Sequence, residues 1–203
     1  MPKNVSFQQA AASAEGVHYA INFINKVKLK AGQRVLVNGA SGSIGSAMVQ
    51  LLVYYGLEVT ATSNSACMDW ISSKGIHLVI DYEKEDFTKL EETFDYVFDA
   101  VGKSTFGKCK PLLKENGIYI SSELGPKAQN PILSLLGLVK SGKKVKFPFP
   151  HDIKGSLEMI KRITEEGKFD PLIDKEYALP DISEAYTYVE TGQKSGNVIL
   201  NIT

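Results

Sequence analysis

The stretch Arg34-Val-Leu-Val-Asn-Gly-Ala-Ser-Gly-Ser-Ile-Gly45 decides the fold. Val35 to Asn38 read as a buried strand, followed by a tight turn and a helix that opens at Ser43. Ile44, Met48, Leu51, Leu52 and Tyr55 recur at helical spacing, which predicts a helix from Ser43 to about Tyr55. The turn spells Ala40-x-Gly42-x-x-Gly45, a dinucleotide fingerprint with alanine in the first glycine slot. Each small residue has a physical task. Ala40 keeps the turn tight, Gly42 leaves room for a pyrophosphate against the backbone, and Gly45 lets the helix lie close to the strand. Free N–H groups at the helix N-terminus face the phosphate charge. An ordinary glycine-rich strand-to-helix turn has the same letters. The strand before it, the helix after it and a second strand at Glu58 to Thr62 favour the nucleotide.

The end of the second strand bears on which nucleotide. A free ribose 2′-hydroxyl usually meets an acid about 20 residues past the turn. Ser63 and Asn64 stand there, and no Asp or Glu occupies 60 to 66. A carboxylate would repel a 2′-phosphate, whereas hydroxyl and amide groups can donate to it. The expectation is NADPH over NADH. Ser63 and Asn64 also suit the cap of the helix that follows, and the two roles are compatible.

The 203 residues, 43% hydrophobic and 23% charged, suffice for one domain with a sizeable core. Lys plus Arg and Asp plus Glu number 23 each, so no basic face is implied and nucleic acid is not an expected partner. The apolar runs are short and broken, so no membrane span is expected. Met1-Pro-Lys-Asn leads into a polar segment without the pattern of a signal peptide. Cys67 and Cys109 form neither a metal spacing nor a disulfide framework, and a cytoplasmic, reducing setting is the default. His18, His77 and His151 have no paired spacing for a metal, so no metal ligands are assigned and no zinc is expected. No general acid or other catalytic residue can be named from the sequence.

The remaining pattern predicts a helix over 6–26, short helices at 65–73, 104–114 and 131–140, and a charged helix or turn at 85–92. Strands are expected at 77–80, 94–98, 118–121 and 144–147, and a helix at 153–166. Six strands separated by helical segments make a doubly wound, six-stranded parallel α/β sheet over residues 1–167. Residues 168–203 form a surplus strand-helix-strand tail, with an extended stretch at 172–179, a helix after Pro180-Asp181 and a terminal strand at 197–202. Gly102-Lys-Ser-Thr105 copies the end of an NTPase phosphate loop, but Val97 stands where that loop needs glycine.

These residues resemble the medium-chain dehydrogenase/reductases, in particular their zinc-independent quinone oxidoreductase branch, the zeta-crystallin-like one. Ala10-Ala-Ala12 with Ala20, ahead of Ala31-Gly32-Gln-Arg-Val-Leu-Val37, is similar to the family's lead-in helix and first strand. Gly39-Ala-Ser-Gly-Ser-Ile-Gly45 is similar to its turn, and Phe94-Asp-Tyr-Val-Phe-Asp99 with Val101-Gly102 to its fourth strand. Tyr177 to Pro180, Glu184-Ala185 and Gly192 through Gly196 to Val198 are similar to its tail. The resemblance implies a Rossmann domain and an NADPH-dependent reductase of quinones, enones or aldehydes, with a small-molecule substrate. It implies that Gly42, Ser43 and Ile44 face the pyrophosphate, that Ser63, Asn64 and Tyr82 lie near the 2′-phosphate, and that Val101 and Gly102 line the adenine and ribose side. Tyr82 also suits a capping aromatic at a strand end. Ser122, Glu123 and Leu124 would sit near the nicotinamide.

The sequence departs from the family at Cys67, where a phosphate-binding lysine is common, and at Tyr19, where a threonine near the nicotinamide is common. Family members carry an N-terminal substrate domain before the lead-in helix. The expectation is therefore a cofactor portion of a longer enzyme or a natural fragment, with little turnover alone and a tail that would normally return to the other domain. The family also implies a homodimer through the edge of the sixth strand, with Phe147, Phe149, Leu133, Leu136 and Val139 at the two-fold axis. Two further functions stay open: a nucleotide-binding redox sensor without turnover, and the enoyl-reductase domain of a larger synthase.

Overall fold

A computed structural model describes residues 1–137 and 141–202. In chain order the elements are α1 (Phe7–Ala12), α2 (Glu15–Ile24), β1 (Arg34–Asn38), α3 (Ser43–Tyr54), β2 (Glu58–Ser63), α4 (Met68–Ser72), β3 (Leu78–Asp81) and β4 (Phe94–Asp99). They continue as α5 (Phe106–Cys109), β5 (Leu113–Ser121), α6 (Gln129–Leu136), β6 (Lys144–Lys146), α7 (Ile153–Glu165), β7 (Ile173–Ala178), α8 (Ile182–Glu190) and β8 (Asn197–Asn201). The first six strands form one all-parallel sheet in the order β3-β2-β1-β4-β5-β6. The chain winds outward from β1 in one direction and from β4 in the other, so the topological switch lies between these two strands. β7 and β8 pair in parallel as a separate two-stranded sheet.

Both faces of the large sheet are covered, so its central strands are apolar throughout. Val35, Leu36 and Val37 are fully buried. Alternation divides them between two cores. Val35, Val37, Phe98 and Ile120 pack with Val17, Met48, Leu51, Ile163 and Phe169, which belong to α2, α3, α7 and the segment after α7. Leu36, Val97 and Tyr119 pack on the opposite face with Cys109, Leu112, Leu113 and Val145.

Four elements differ from the sequence pattern. The first helix is two helices: Ser6 and Gln9 form a capping box for α1, and Ser13 ends it by turning its hydroxyl back to Gln9 O at 2.6 Å. The 104–114 helix shrinks to α5 and a 3-10 turn, because Pro111 removes a backbone donor. β5 therefore begins at Leu113, which pairs with Phe94, and Asn116-Gly117 sits in an irregularity before Ile118 pairs with Tyr96. Only Phe87–Lys89 of the 85–92 segment is helical, as a 3-10 turn capped by Asp86. The last three residues of the expected 131–140 helix lie outside the described residues.

Candidate functional site

The carboxyl ends of β1 and β4 flank the switch, where open α/β sheets bind ligands. A cleft of about 510 Å³ lies there. It is lined by Asn38, Gly39 and Ser41 through Ile44 of the turn, by Tyr82 and Phe87, by Ala100, Val101 and Lys103 after β4, and by Val189, Gly192 and Lys194 of the tail.

A buried polar network fixes the floor of this cleft. Asp99, fully buried at the end of β4, accepts from Asn38 Nδ2 at 3.0 Å and from Tyr119 Oη at 2.7 Å. It also accepts the backbone N–H groups of Val101, Gly102 and Ser104 at 3.4, 3.0 and 3.3 Å. The carboxylate thus turns the chain at the end of β4 and ties that turn to β1 and β5. Asn38 in turn accepts from Thr62 Oγ1 at 2.9 Å, and Thr62 Oγ1 accepts from Gly39 N at 2.9 Å. Burial and the charge of Asp99 raise the pKa of the Tyr119 hydroxyl, so it stays a donor. Burial pushes the Cys109 thiol, 3.2 Å from Ser104 Oγ, up to about 11, so it is a packing residue and not a nucleophile.

The turn itself is shaped by close approach. A Cβ on Gly45 would stand 2.1 Å from Gly39 O, so any side chain there would force the turn open. Gly42 is different. It caps α3 with φ −84° and ψ 169°, a conformation open to any residue, and a Cβ there would meet only Gly39 O at 3.5 Å, an ordinary contact. The N–H groups of Ser43 and Ile44, in the first turn of α3, have no partner within the helix.

Five of the residues expected at the site, Gly42, Ser43, Ile44, Tyr82 and Val101, line one cleft. Tyr82 is about half exposed, and burial followed by the charge of Glu83 raises its hydroxyl pKa. The other six are not among the lining residues. Gly102 lies behind Val101 against the side chain of Glu123: an added Cβ would sit 2.0 Å from Glu123 Cγ. Ser122, Glu123 and Leu124 follow β5, and Leu124 is exposed. Ser63 is buried, with its hydroxyl donating to Asn64 O at 3.1 Å. Asn64 caps the 3-10 turn at Ser65 by accepting from Cys67 N, and its amide donates to Ser195 Oγ at 3.1 Å. Asn64 fills the capping role read from the sequence, the Ser63 hydroxyl is engaged, and one N–H of the Asn64 amide is left over.

What the sequence did not reveal is the tail's place. Gly196 N donates to Ser41 O at 2.7 Å, Gly196 and Gly42 form a parallel bridge, and Ser43 Oγ donates to Asn197 Oδ1 at 2.7 Å. The tail is a wall of the cleft. The run of small residues Gly192, Ser195 and Gly196 was the available signal, since only short side chains let a strand lie on a glycine turn.

Residues 74–200 match the model of the family described as zinc-binding dehydrogenase. A 2-methylene-furan-3-one reductase of Solanum lycopersicum is 30% identical over 98% of this chain and 48% of its own length. An NADPH-dependent alkenal/one oxidoreductase of Arabidopsis thaliana is 29% identical over the same shares. The chain thus spans about half the length of these curated relatives. A quinone oxidoreductase structure from Coxiella burnetii superposes with a TM-score of 0.83 at 22% identity, over 99% of this chain and 62% of that one, which shows the shared fold. The chain belongs to the zinc-binding dehydrogenase family, within the medium-chain dehydrogenases and reductases that its sequence resembles.

Proposed function

We propose that the chain holds a nicotinamide dinucleotide in the switch-point cleft, as the cofactor portion of an oxidoreductase acting on a small conjugated carbonyl or quinone. One observation carries this reading. Gly42 is a glycine that the fold does not need: its backbone angles are ordinary and a Cβ would fit. The space a side chain would take lies in the cleft, beside the free N–H groups of the first turn of α3, where a phosphate would make its closest approach. When bound, the cofactor supplies the hydride. The residues of this chain bind and orient it. The Gly42–Ile44 backbone meets the pyrophosphate, and Tyr82, Phe87 and Val101 flank the adenosine half. The Asp99 network keeps the β1 and β4 turns at a fixed separation.

The names of the relatives favour reduction of enones and alkenals, and the absence of an acid at 60–66 favours NADPH. Two carboxylates lie at that corner: Asp81, paired with Ser63 across β2 and β3, accepts from Ser65 Oγ at 2.5 Å and from Lys84 Nζ at 2.6 Å, and Glu83 accepts the N–H of Ser65 at 3.1 Å. Isothermal titration of NADPH and NADH tests the preference. Tighter binding of NADPH is expected, with Ser63→Asp moving the preference toward NADH; equal or reversed affinities of the unaltered chain sink it. The zinc in the family's description does not fit these residues. Among the described residues no three His, Cys, Asp or Glu side chains gather into a metal site, and His18 is buried against Ser156 Oγ at 3.0 Å. No helix among them is long and apolar enough to cross a membrane. The buried thiols of Cys67 and Cys109 suit a reducing compartment such as the cytoplasm.

A homodimer through β6 is part of the same proposal. β6 ends the sheet, and Ile132, Leu135 and Phe149 lie exposed beside it. Two lysines that could guard this edge are turned onto their own chain: Lys143 Nζ donates to Lys110 O at 2.9 Å and Lys146 Nζ to Lys26 O. Val139 lies outside the described residues. Light scattering at micromolar concentration should give a dimer, split by Leu135→Asp and by Val145→Pro. A monomer with the unaltered chain counts against it.

A further inference from the structure

The two lysines of β6 stand on one face of the sheet. Val145 enters the core with Leu36, Val97 and Tyr119, so Lys144 and Lys146 lie on the opposite face, beside their register partners Ile118 and Ile120. The end of α2 covers that face, and Lys146 Nζ donates there to Lys26 O. Lys26, Lys144 and Lys146 are each half-buried, and among the described residues none of them belongs to an ion pair. Burial, then the charges of Lys144 and Lys26, lower the pKa of Lys146. In a single chain this trio needs nothing more. Lys146 satisfies the last turn of α2, and the other two ammonium groups can reach water.

Pairing of two β6 edges changes that. β6 has three residues, so an antiparallel pair that uses all of them sets Val145 opposite its own copy. Lys144 of one copy then faces Lys146 of the other, on the same side of the joined sheet, with Cβ atoms about 5 Å apart. Like charges directly opposed destabilise a strand pair. Lys146 cannot swing aside without giving up its bond to Lys26 O. We propose that two copies joined through β6 form a binding site for a multivalent oxyanion on their two-fold axis, with Lys26, Lys144 and Lys146 of each copy as its ligands. Neither copy holds this site alone. The proposal rests on the β6 dimer above, not on the nucleotide reading, and goes beyond it by making that dimer depend on an anion.

The test is sedimentation of the unaltered chain, Lys144→Gln and Lys146→Gln, in sodium triphosphate and in sodium chloride at equal ionic strength, with thermal melts of each. The dimer of the unaltered chain should hold about tenfold or more tighter in triphosphate than in chloride, the effect of one added charge-assisted contact. In dilute chloride each variant should dimerise more tightly than the unaltered chain, since part of the repulsion is gone, and should gain less from triphosphate. Lys144→Gln alters no bond within the chain, so it decides the matter if Lys146→Gln melts early. Equal tightening by the two salts overturns the proposal, because screening alone then explains it. A dimer that responds to neither salt overturns it as well and leaves the dimer standing. Assembly in triphosphate that survives Val145→Pro also overturns it, since the anion then bridges other surfaces. A monomer in every condition sinks the β6 dimer, and the site falls with it.

Discussion

Asp99→Ala should lower the unfolding free energy by about 3–5 kcal/mol and the melting temperature by roughly 10 °C. The substitution strands five donors at once. Tyr119 Oη and Asn38 Nδ2 are buried and lose their acceptor, and the N–H groups of Val101, Gly102 and Ser104 lose the acceptor that bends the chain after β4. Asp99→Asn should cost less, since its oxygen keeps the Asn38, Val101 and Gly102 side of the network while its amide faces Tyr119 Oη, which can turn to accept, and the Ser104 N–H. Tyr119→Phe removes only one donor and should cost about 1 kcal/mol. Combining Asp99→Ala with Tyr119→Phe should give less than the sum of the two losses, because the second change removes a group the first had orphaned. Denaturant melts measure all four. A loss below about 1 kcal/mol for Asp99→Ala would mean that this cluster is incidental to the fold.

Two alanines in one turn should behave oppositely. Gly45→Ala places a methyl 2.1 Å from Gly39 O and 2.8 Å from Ala40 Cα, both backbone atoms on a fully packed strand end. α3 must move off β1, and the cost should be about 3 kcal/mol or more. Gly42→Ala meets only an ordinary contact and an ordinary φ. It should melt at or slightly above the unaltered chain, since alanine restricts the unfolded state. Circular dichroism melts of the pair decide this; equal destabilisation would show that Gly42 is structural too.

The strand-turn-helix at 34–54 was legible because every signal there is local: a run of apolar residues, small residues at fixed spacing and an apolar helical stripe. The parallel sheet followed from strands recurring between helices. The split of the first helix was hidden because Ser13, one residue in an alanine-rich stripe, ends α1 through a side-chain bond that periodicity does not register. The early start of β5 was hidden because Leu113 reads as the end of a helix until Phe94 is seen beside it. The tail was the largest gap. Its bonds to the turn span 154 positions from Ser43 to Asn197 and 131 from Asn64 to Ser195. No local pattern encodes such a contact. Asn64 shows both cases in one side chain, its cap legible from the next three residues and its tie to Ser195 not.

Titration of NADPH into the unaltered chain and into Gly42→Ala, each checked by its melt, tests the central claim most directly. The expected result is saturable binding by the first and a loss of at least about tenfold in the second, with the fold intact, because the methyl occupies the phosphate's approach and nothing else. Equal binding by both proteins, or none by the unaltered chain, would contradict it.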